Sequence, residues 1–452
     1  MQSNLRKLNG TVGILGFGVD GKEVCEFLEG IDEVEKVIIF DDSEPRTADR
    51  GPQQYGQSLD GIDLLFRSPG FPITHSLVKE AKEKNIPITS STEFFLQNFP
   101  GVTIGITGSN GKTTCTALIT EMLKAEFGDE NVERGGNDGV PRLDLLLSSP
   151  ALLDRAPQTA RVERLPLDVR DGRTLEESTN FVVLELSSFQ LIDSDATPDV
   201  SVVLNITPNH LDWHKDMDEY VNAKKKIVKN TEHGSRNTDR GYGVAVLNQD
   251  DPIVKKFSED TDREVVWFGN KSPINADCLK THPSTLSAAV KAARALNVSE
   301  ENIKKVLQTF PGVKHRLQFI REIDGVKYYN DSSCTTPESA IAACNAFPEG
   351  SLILLMGGRD KGMDFSKLYE VIKERKVRVV PYGEMGEEFK KNLPDNCSFS
   401  TIHYSLQDAI VDARQEASSG DNVALSPACA SFDMFKNAKK RGEEFTEIVE
   451  GV

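Results

Sequence analysis

The side chains best suited to carry out chemistry in this sequence stand together in the run Thr107-Gly-Ser-Asn-Gly-Lys-Thr-Thr114. Its two glycines allow a tight turn whose backbone N–H groups point toward a bound polyphosphate. Lys112 is placed to reach the outer phosphates, and the Thr113 hydroxyl to ligate the magnesium that accompanies them. The spacing is one residue tighter than the general phosphate-loop pattern. We therefore predict an ATP site formed by Gly108, Ser109, Asn110, Gly111, Lys112, Thr113 and Thr114.

Regular elements on both sides must hold this loop in place. Residues 102–106 are rich in β-branched side chains and predict a strand, and a helix is predicted from Thr113 onward. A second glycine pattern, Gly16-x-Gly-x-x-Gly21, follows another apolar strand and precedes a helix that extends to Leu28. With Asp41 about 20 positions further on, this pattern is typical of dinucleotide binding, although any nucleotide diphosphate could use it.

Polar side chains collect where further predicted strands end. Residues 181–186 form an apolar strand that carries Glu185, and residues 200–205 form another that is followed by His210. Such buried strands predict a parallel sheet, whose carboxyl ends are where α/β proteins bind ligands. A helix is predicted over residues 218–229, with three successive lysines. The uneven passage 142–180 predicts a surface excursion with a short helix near residues 143–147.

The chain alternates strands and helices throughout, which indicates an α/β fold. At 452 residues it is too long for one core, so two or three domains are expected. Turns at Phe99-Pro-Gly and Pro311-Gly312 divide it into residues 1–98, 99–312 and 313–452. The last part has its polar loops after predicted strands at residues 328–329, 352–356 and 423–425. This arrangement favours a substrate held between domains.

Composition excludes several classes of partner. With 53 Lys and Arg against 70 Asp and Glu, the net charge is −17, which disfavours binding to nucleic acid or to an anionic membrane. The seven cysteines are scattered singly, as expected for reduced thiols in a cytoplasmic protein. No apolar run approaches the ~20 residues of a membrane span, and no signal peptide is evident. We expect a soluble, cytoplasmic protein.

Seven runs, taken in this order and covering nearly the whole chain, resemble the Mur ligase family. They are Gly108-Ser-Asn-Gly-Lys-Thr-Thr114, Glu185-Leu-Ser-Ser-Phe-Gln-Leu191, Asn205-x-Thr-x-x-His-Leu-Asp212, His315-Arg316, Asn330-Asp-Ser332, Gly357-Gly-x-Asp-Lys361 and Leu425-Ser-Pro-Ala-Cys-Ala-Ser-Phe-Asp433. The second and the last run are similar to those of the branch of the family that adds D-glutamate.

The resemblance implies a fold and a reaction. The fold would comprise a Rossmann-like N-terminal UDP-binding domain, a central P-loop ATPase domain with a mainly parallel sheet, and a Rossmann-like C-terminal domain. The reaction would use ATP and Mg²⁺ or Mn²⁺ to phosphorylate the carboxylate of UDP-N-acetylmuramoyl-L-alanine, after which the amine of D-glutamate forms an amide. The family also implies a monomer whose partners are these small molecules.

The resemblance assigns roles to individual residues. Catalysis would fall to Lys112, Glu185, His210, Lys224 and Arg316. Metal would be held by Thr113, Glu185, His210 and Lys224 as a carbamate. Further ATP contacts would come from Arg316 and Asp331. The UDP substrate would contact Val19, Asp20, Asp41, Asp42, Gly70, Asn137, Ser187 and Gln190. The incoming amino acid would contact Thr335, Lys361, Ser431 and Phe432.

A purely structural role is the alternative for several of these residues. Asp20 and Asp42 could simply be loop carboxylates. His210 could be a hydrogen-bonded structural histidine. Lys224 could belong to a solvated helix face, as we expect of its neighbours Lys225 and Lys226.

The sequence also departs from the family pattern. Ser333 stands where the family usually has a lysine, and residues 280–286 lack both asparagines of the motif that reaches the adenine. Residues 270–279 are fewer than in the family, and the passage 142–180 is longer. These departures keep open a ligase with a changed amino acid, such as L-glutamate, and a weakly active sensor of the UDP precursor. A dinucleotide-dependent oxidoreductase is a further alternative, although one glycine pattern does not explain the phosphate loop.

Overall fold

The computed structural model describes residues 8–41, 54–55, 58–99, 101–136, 143–147, 180–211, 213–229, 243–270, 282–393, 397 and 401–451. Two predicted site residues, Asp42 and Asn137, lie outside the described residues, as does most of the passage 142–180. The chain divides into two compact units. The first unit contains residues 1–273 and 284–306, and the second contains residues 274–283 and 307–452.

The first of two sheets in the first unit is parallel throughout. Its strands follow the order β3-β2-β1-β4-β5, the order of the doubly wound nucleotide-binding folds. The strands are β1 Gly10–Leu15, β2 Val34–Phe40, β3 Gln54–Tyr55, β4 Leu64–Arg67 and β5 Ile88–Thr89. The helices are α1 Val19–Glu29, α2 Ser76–Glu83 and α3 Ser91–Asn98.

The second sheet of this unit carries the phosphate loop. It is also parallel, in the order β11-β10-β9-β6-β8-β7, so that β6 lies between β8 and β9. The strands are β6 Val102–Thr107, β7 Val132–Gly136, β8 Phe181–Glu185, β9 Val200–Val203, β10 Val244–Asn248 and β11 Glu264–Phe268. Every residue of β6, β8 and β9 is buried, which explains their continuous apolar character.

The helices around this second sheet complete the unit. They are α4 Lys112–Phe127, α5 Asp144–Leu147, α6 Ser188–Leu191, α7 Met217–Lys225, α8 Pro252–Lys256, α9 Pro283–Ala295 and α10 Glu300–Thr309, the last of which crosses into the second unit. The two sheets share one core, because Phe94 and Phe95 of α3 belong to the same buried cluster as Leu186 and Leu191. The first unit is therefore held together by apolar packing across its two sheets.

The second unit is built on one mixed sheet in the order β12-β13-β16-β14-β15. The strands are β12 Gln318–Ile323, β13 Val326–Asn330, β14 Leu352–Gly357, β15 Arg378–Tyr382 and β16 Asn422–Ala428. The helices are α11 Pro337–Asn345, α12 Ser366–Glu374, α13 Gly386–Asn392, α14 Leu406–Glu416 and α15 Ala438–Glu450. Only the edge strand β12 runs antiparallel, in a hairpin with β13.

The predicted α/β fold with parallel sheets is confirmed, with some corrections to its elements. The helix predicted over residues 218–229 ends at Lys225 and continues as a short 3-10 turn. Among the elements that were not predicted are α3, β7 and β12. Within the described ranges, no helix is long and apolar enough to cross a membrane.

Candidate active site

The phosphate loop has a backbone that only glycine can form at two positions. Gly108 has φ 152° and Gly111 has φ 85°, in the region that side chains disfavour. A Cβ atom at Gly108 would lie 2.9 Å from the Leu204 side chain, and one at Gly111 would lie 2.6 Å from the Thr285 hydroxyl. Gly111 is also the N-cap of α4, where helix N–H groups favour an anion. The residues present thus fit a bound polyphosphate.

The loop is tied to the segment that follows β9. The Ser109 N–H donates to the Asn205 carbonyl (2.7 Å), and the Asn110 N–H donates to the Asn205 Oδ1 (2.9 Å). The Asn205 amide donates in return to the Asn110 carbonyl (3.0 Å), and the Thr207 N–H donates to the Ser109 Oγ (2.9 Å). This ladder fixes the loop against the segment that leads to His210.

Two lysines meet at the loop. The Lys112 Nζ donates to the carbonyls of Gly108 and Ser109, both at 3.1 Å. The Lys224 Nζ donates to the same Gly108 carbonyl (3.0 Å) and to the Thr107 hydroxyl (3.3 Å). Two lysine nitrogens therefore converge on one carbonyl oxygen, at the loop where a triphosphate is predicted.

Lys224 is only 2% exposed, so the alternative of a solvated helix face is wrong for it. Its ammonium lies 4.9 Å from the centre of the Tyr220 ring. Burial holds the pKa of Lys224 well below its ordinary value, the charge of Lys112 lowers it further, and Glu185 acts in the opposite direction. Such a lysine is easily found as the neutral amine.

The neighbours of Lys224 differ from expectation as well. Lys225 and Lys226 were expected on a solvated face, but both side chains are half-buried. The Lys225 Nζ lies 3.1 Å from Asp260, and the Lys226 Nζ donates to the Ile192 carbonyl at 2.6 Å. The aliphatic parts of these side chains are therefore partly buried, while their ammonium groups contact oxygen atoms.

Glu185 ends β8 and is 4% exposed, beside the loop that ends β6. The Thr107 hydroxyl donates to the Leu186 carbonyl (2.8 Å), which ties the ends of the two strands together. Ser187 and Gln190 form a capping box that begins α6: the Gln190 N–H donates to the Ser187 Oγ, and the Ser187 N–H donates to the Gln190 Oε1 (2.9 Å). Ser187 and Gln190, which are predicted to contact the UDP-linked substrate, therefore lie in the first turn after Glu185.

The two nearby histidines are in different environments. His210 is exposed and has a left-handed φ of 56°, with its ring 4.9 Å from that of Phe189. His214, which the sequence analysis missed, is 2% exposed, and its ring stacks on that of Phe189 with the ring centres 5.6 Å apart. Its Nε2 lies 2.8 Å from the Ser188 Oγ and its Nδ1 lies 3.3 Å from the Glu219 carboxylate. Only its spacing of four residues from His210 could have indicated it.

The metal-ligand set implied by the family includes just two unmodified acid or imidazole side chains, Glu185 and His210. In the parts of the chain that the structure describes, no three His, Cys, Asp or Glu side chains converge on a metal position. The remaining ligands of that set, the Thr113 hydroxyl and a modified Lys224, belong to the phosphate loop and to the buried amine beside it.

The described residues that are predicted to contact UDP lie where the strands of the first sheet end. Val19 is 67% exposed, and a Cβ atom at Gly70 would meet no atom within 4 Å, so both border open space. The Phe17 N–H donates to the Asp41 carboxylate (2.5 Å), which holds the glycine pattern next to the end of β2. Asp20 accepts from the Ser91 hydroxyl (3.1 Å), and burial raises the pKa of Asp20.

Glu23 on α1 supplies a prediction about pH. Burial raises its pKa to about 7, against the hydrogen bond that it accepts from the Leu143 N–H, and Asp20 and Asp144 raise it further. Because the folded-state pKa exceeds the unfolded one, Glu23 stabilises the fold at low pH and loses that effect as pH rises toward 7. Glu23→Gln should therefore raise the melting temperature relative to wild type more at about pH 8 than at about pH 5. Equal differences at both pH values, or the same profile for the exposed control Glu29→Gln, would contradict this.

The candidate residues of the second unit surround the carboxyl ends of β13, β14 and β16. Asp331 is buried and accepts from the Ser426 hydroxyl (2.8 Å) and the Leu317 N–H (3.2 Å). Burial raises the pKa of Asp331 to about 7, and the charge of Arg316 lowers it in part. Arg316 is exposed between His315 and Leu317, which both have left-handed φ angles of 61° and 44°. This strained turn directs the arginine outward.

The loops that carry the predicted amino-acid residues are joined to one another. Arg359 and Ala430 exchange two backbone hydrogen bonds (2.8 and 3.1 Å), which bring the loop of Lys361 beside that of Ser431. Lys361 and Phe432 are exposed, Ser431 is buried and Thr335 is half-buried. The loops of all four predicted residues thus lie at the carboxyl ends of β13, β14 and β16.

Arg441 was not predicted and lies behind these loops. Fully buried, it donates from Nε to the Ser332 hydroxyl (3.0 Å) and from Nη2 to the Ser332 carbonyl (2.9 Å) and the Cys429 carbonyl (3.2 Å). It therefore holds the loop after β13 against the end of β16. In the sequence, nothing distinguishes Arg441 from the other basic residues of its helix.

Comparisons with known proteins identify the family to which the chain is similar. Two family descriptions match the chain in succession, the Mur ligase middle domain over residues 106–314 and the Mur ligase glutamate ligase domain over residues 315–429. A Clostridium perfringens protein named UDP-N-acetylmuramoylalanine--D-glutamate ligase is 36% identical, over 88% of this chain and 85% of its own. A Clostridium botulinum protein of the same name is 33% identical over 99% of both chains.

Solved structures resemble the fold. The UDP-N-acetylmuramate-alanine ligase of Thermotoga maritima gives a TM-score of 0.52 at 15% identity, over 98% of this chain and 99% of its own. The UDP-N-acetylmuramoylalanyl-D-glutamyl-2,6-diaminopimelate--D-alanyl-D-alanyl ligase of Acinetobacter baumannii gives 0.53 at 18% identity, over 80% and 81%. At such identities the likeness concerns the fold alone.

Proposed function

The chain belongs to the Mur ligase family, and from that membership we propose that it joins D-glutamate to UDP-N-acetylmuramoyl-L-alanine in peptidoglycan synthesis. The protein is an ATP-dependent ligase that forms an amide bond. The observation that carries the proposal is the phosphate loop with the Lys112 ammonium on its Gly108 and Ser109 carbonyls, because activation of a carboxylate by ATP brings two anions together and needs positive charge between them.

The reaction has two steps. An oxygen of the muramoyl-alanine carboxylate attacks the γ-phosphorus, and ADP leaves, so that an acyl phosphate forms. The amine of the amino acid then attacks the acyl carbon, inorganic phosphate leaves and the amine loses a proton. In the first step the ammonium of Lys112 stabilises the charge on the transferred phosphoryl group. The N–H groups at the N-terminus of α4, which follows Gly111, would donate to the same group.

Bound magnesium would neutralise the charge of the phosphates and polarise the transferred group. We propose Thr113, Glu185, His210 and Lys224 as the residues that hold it, with Lys224 as a carbamate. The lowered pKa of Lys224 supports the last assignment, because it is the neutral amine that adds CO2 and releases a proton. A carbamate would convert a second ammonium beside Lys112 into an anion that can bind metal.

The remaining assignments are proposals of the same kind. Arg316 and Asp331 would contact ATP, and the incoming amino acid would contact Thr335, Lys361, Ser431 and Phe432. The UDP group would contact Val19, Asp20, Asp41, Asp42 and Gly70, and the muramoyl group Asn137, Ser187 and Gln190. Support comes from the position of the described members at the carboxyl ends of parallel strands.

We also propose three domains over residues 1–98, 99–312 and 313–452. Each of the three sheets is drawn from a continuous stretch of the chain that falls within one of these ranges. The protein would act as a monomer in the cytoplasm, where ATP is abundant. The six cysteines among the described residues are all reduced and buried, which is compatible with such a compartment.

A ligase with a changed amino acid is the second candidate. Ser333 is half-buried and its N–H donates to the His315 carbonyl (3.1 Å), so no cationic side chain stands at this position of the loop after β13. A pocket with one positive group fewer binds a second carboxylate less strongly. The absence of this positive group makes the identity of the amino acid a question for a substrate assay.

The test is phosphate release from ATP with UDP-N-acetylmuramoyl-L-alanine and a panel of D- and L-amino acids. We expect release with D-glutamate and little with the others. Release with L-glutamate alone would support the second candidate. If none of the amino acids supports phosphate release while the protein still binds the UDP precursor, the ligase assignment is contradicted and a sensor is favoured.

A further inference from the structure

Arg67 is the last residue of β4 and one of the most buried charged residues of the first unit, with 1% of its side chain exposed. Its Nη1 donates to the carbonyls of Ser68 (3.1 Å) and Phe71. The Ser68 hydroxyl in turn donates to the Gly16 carbonyl (2.7 Å). One guanidinium therefore shapes the loop that contains Gly70 and, through it, the glycine pattern after β1.

The same guanidinium reaches the second sheet. Its Nε forms an ion pair with Asp193, which lies two residues beyond the end of α6. The segment 192–195 is held on other sides as well, because the Lys226 ammonium donates to the Ile192 carbonyl (2.6 Å) and the Asp195 N–H donates to Glu93 of α3 (3.4 Å). Arg67 thus joins the loop of one sheet to the turn of the other.

The chemistry of this contact makes it rigid. A buried guanidinium needs all its donors satisfied, and removal of one partner leaves a charge that water cannot reach. The donors of Arg67 are shared between a carboxylate and carbonyls that lie in fixed directions. A lysine has one compact ammonium and could not satisfy both sets at once.

We propose that Arg67 is a positioning residue for the UDP-linked acceptor, which it serves by fixing the distance between the Gly70 loop and the turn of Ser187 and Gln190. The inference rests on the proposed function, in which these two sites hold opposite ends of the acceptor. Arg67 itself contacts only the protein. Loss of Arg67 should therefore weaken binding of the acceptor without changing the binding of a nucleotide at the phosphate loop.

The test compares Arg67→Lys and Asp193→Asn with wild type by calorimetric titration of the full-length protein with UDP-N-acetylmuramoyl-L-alanine and, separately, with ADP and magnesium. We expect the acceptor Kd to rise by about tenfold or more in both variants. The ADP Kd should stay within about twofold. Asp193 is 29% exposed, so Asp193→Asn keeps the test usable if Arg67→Lys does not fold.

Arg263→Lys is the matched control. Arg263 donates to the Pro198 carbonyl (2.8 Å) and the Ser201 hydroxyl (3.0 Å), and burial lowers its pKa to about 10, but its partners all belong to the second sheet. This control should lower the melting temperature and leave the acceptor Kd within about twofold of wild type.

Unchanged acceptor binding in folded Arg67→Lys and Asp193→Asn would overturn the inference. An equal loss of affinity for the acceptor and for ADP would overturn it as well. A KM for the acceptor that rises while the KM for ATP does not would support it. If wild type itself failed to bind the acceptor, the proposed function would fall together with the inference, so the two failures are distinguishable.

Discussion

Lys112→Ala is expected to abolish ATP-dependent phosphate release, with kcat lower by at least about 10³-fold. The ammonium of Lys112 lies on the carbonyls of Gly108 and Ser109, within the glycine turn that begins α4. Its removal would take away the positive charge that, in the proposed mechanism, stabilises the transferred phosphoryl group as charge builds up on it. The measurement is steady-state phosphate release with all three substrates.

The control for this variant is Lys124→Ala, near the other end of the same helix. It removes the same charge and the same number of atoms far from the loop. We expect its kcat to remain within about twofold of wild type. Near-normal turnover of Lys112→Ala would remove the phosphate loop from the mechanism.

Lys224→Arg is expected to be inactive although it keeps a positive charge. The side chain is buried beside Lys112, and a guanidinium neither loses its proton nor adds CO2. The variant would place a permanent, bulkier cation where we propose a carbamate, so we expect kcat to fall by about 10³-fold or more. Binding of ADP without metal gives an independent reading of whether the loop has kept its shape.

Lys225→Arg is the matched control, because Lys225 is the next residue and its ammonium is paired with Asp260 at the surface. It should retain turnover. A carbon resonance from isotopically labelled CO2 should appear in wild type and in Lys225→Arg, and be absent from Lys224→Arg. Turnover by Lys224→Arg at the wild-type rate would argue against the carbamate.

The phosphate loop and the strands around it could be predicted because local residue type determines them. Gly108 and Gly111 were recognised by spacing, and they have the left-handed φ angles and close contacts that exclude other residues. The buried strands β6, β8 and β9 are apolar on both faces, which is the pattern of a central parallel strand. Sequence alone was sufficient for these elements.

Residues whose role depends on tertiary contacts could not be found in this way. Lys224 was assigned a role only through the family resemblance, because a run of three lysines is otherwise typical of a solvated face; the packing of α7 against the phosphate loop buries it. His214 and Arg67 belong to no motif; each is identified by the polar groups that surround it in the fold. Buried charge is decided by partners distant in sequence, which a local pattern does not contain.

The unpredicted strands have a similar explanation. No residue of β12 is fully buried, because the strand lies at the edge of its sheet, so its apolar signal is weak. β7 ends in two glycines, which lowered its apparent strand propensity, although its pairing with β8 provides the hydrogen bonds. Both strands are held by a neighbour rather than by their own composition.

The central claim is that the chain activates a carboxylate as an acyl phosphate, and an isotope-transfer measurement tests it most directly. UDP-N-acetylmuramoyl-L-alanine labelled with heavy oxygen in its alanine carboxylate would be turned over with ATP and D-glutamate, and the released phosphate analysed by mass spectrometry. The account predicts that each phosphate carries one labelled oxygen, because that oxygen leaves with the phosphoryl group. Turnover that yields amide and unlabelled phosphate would contradict it.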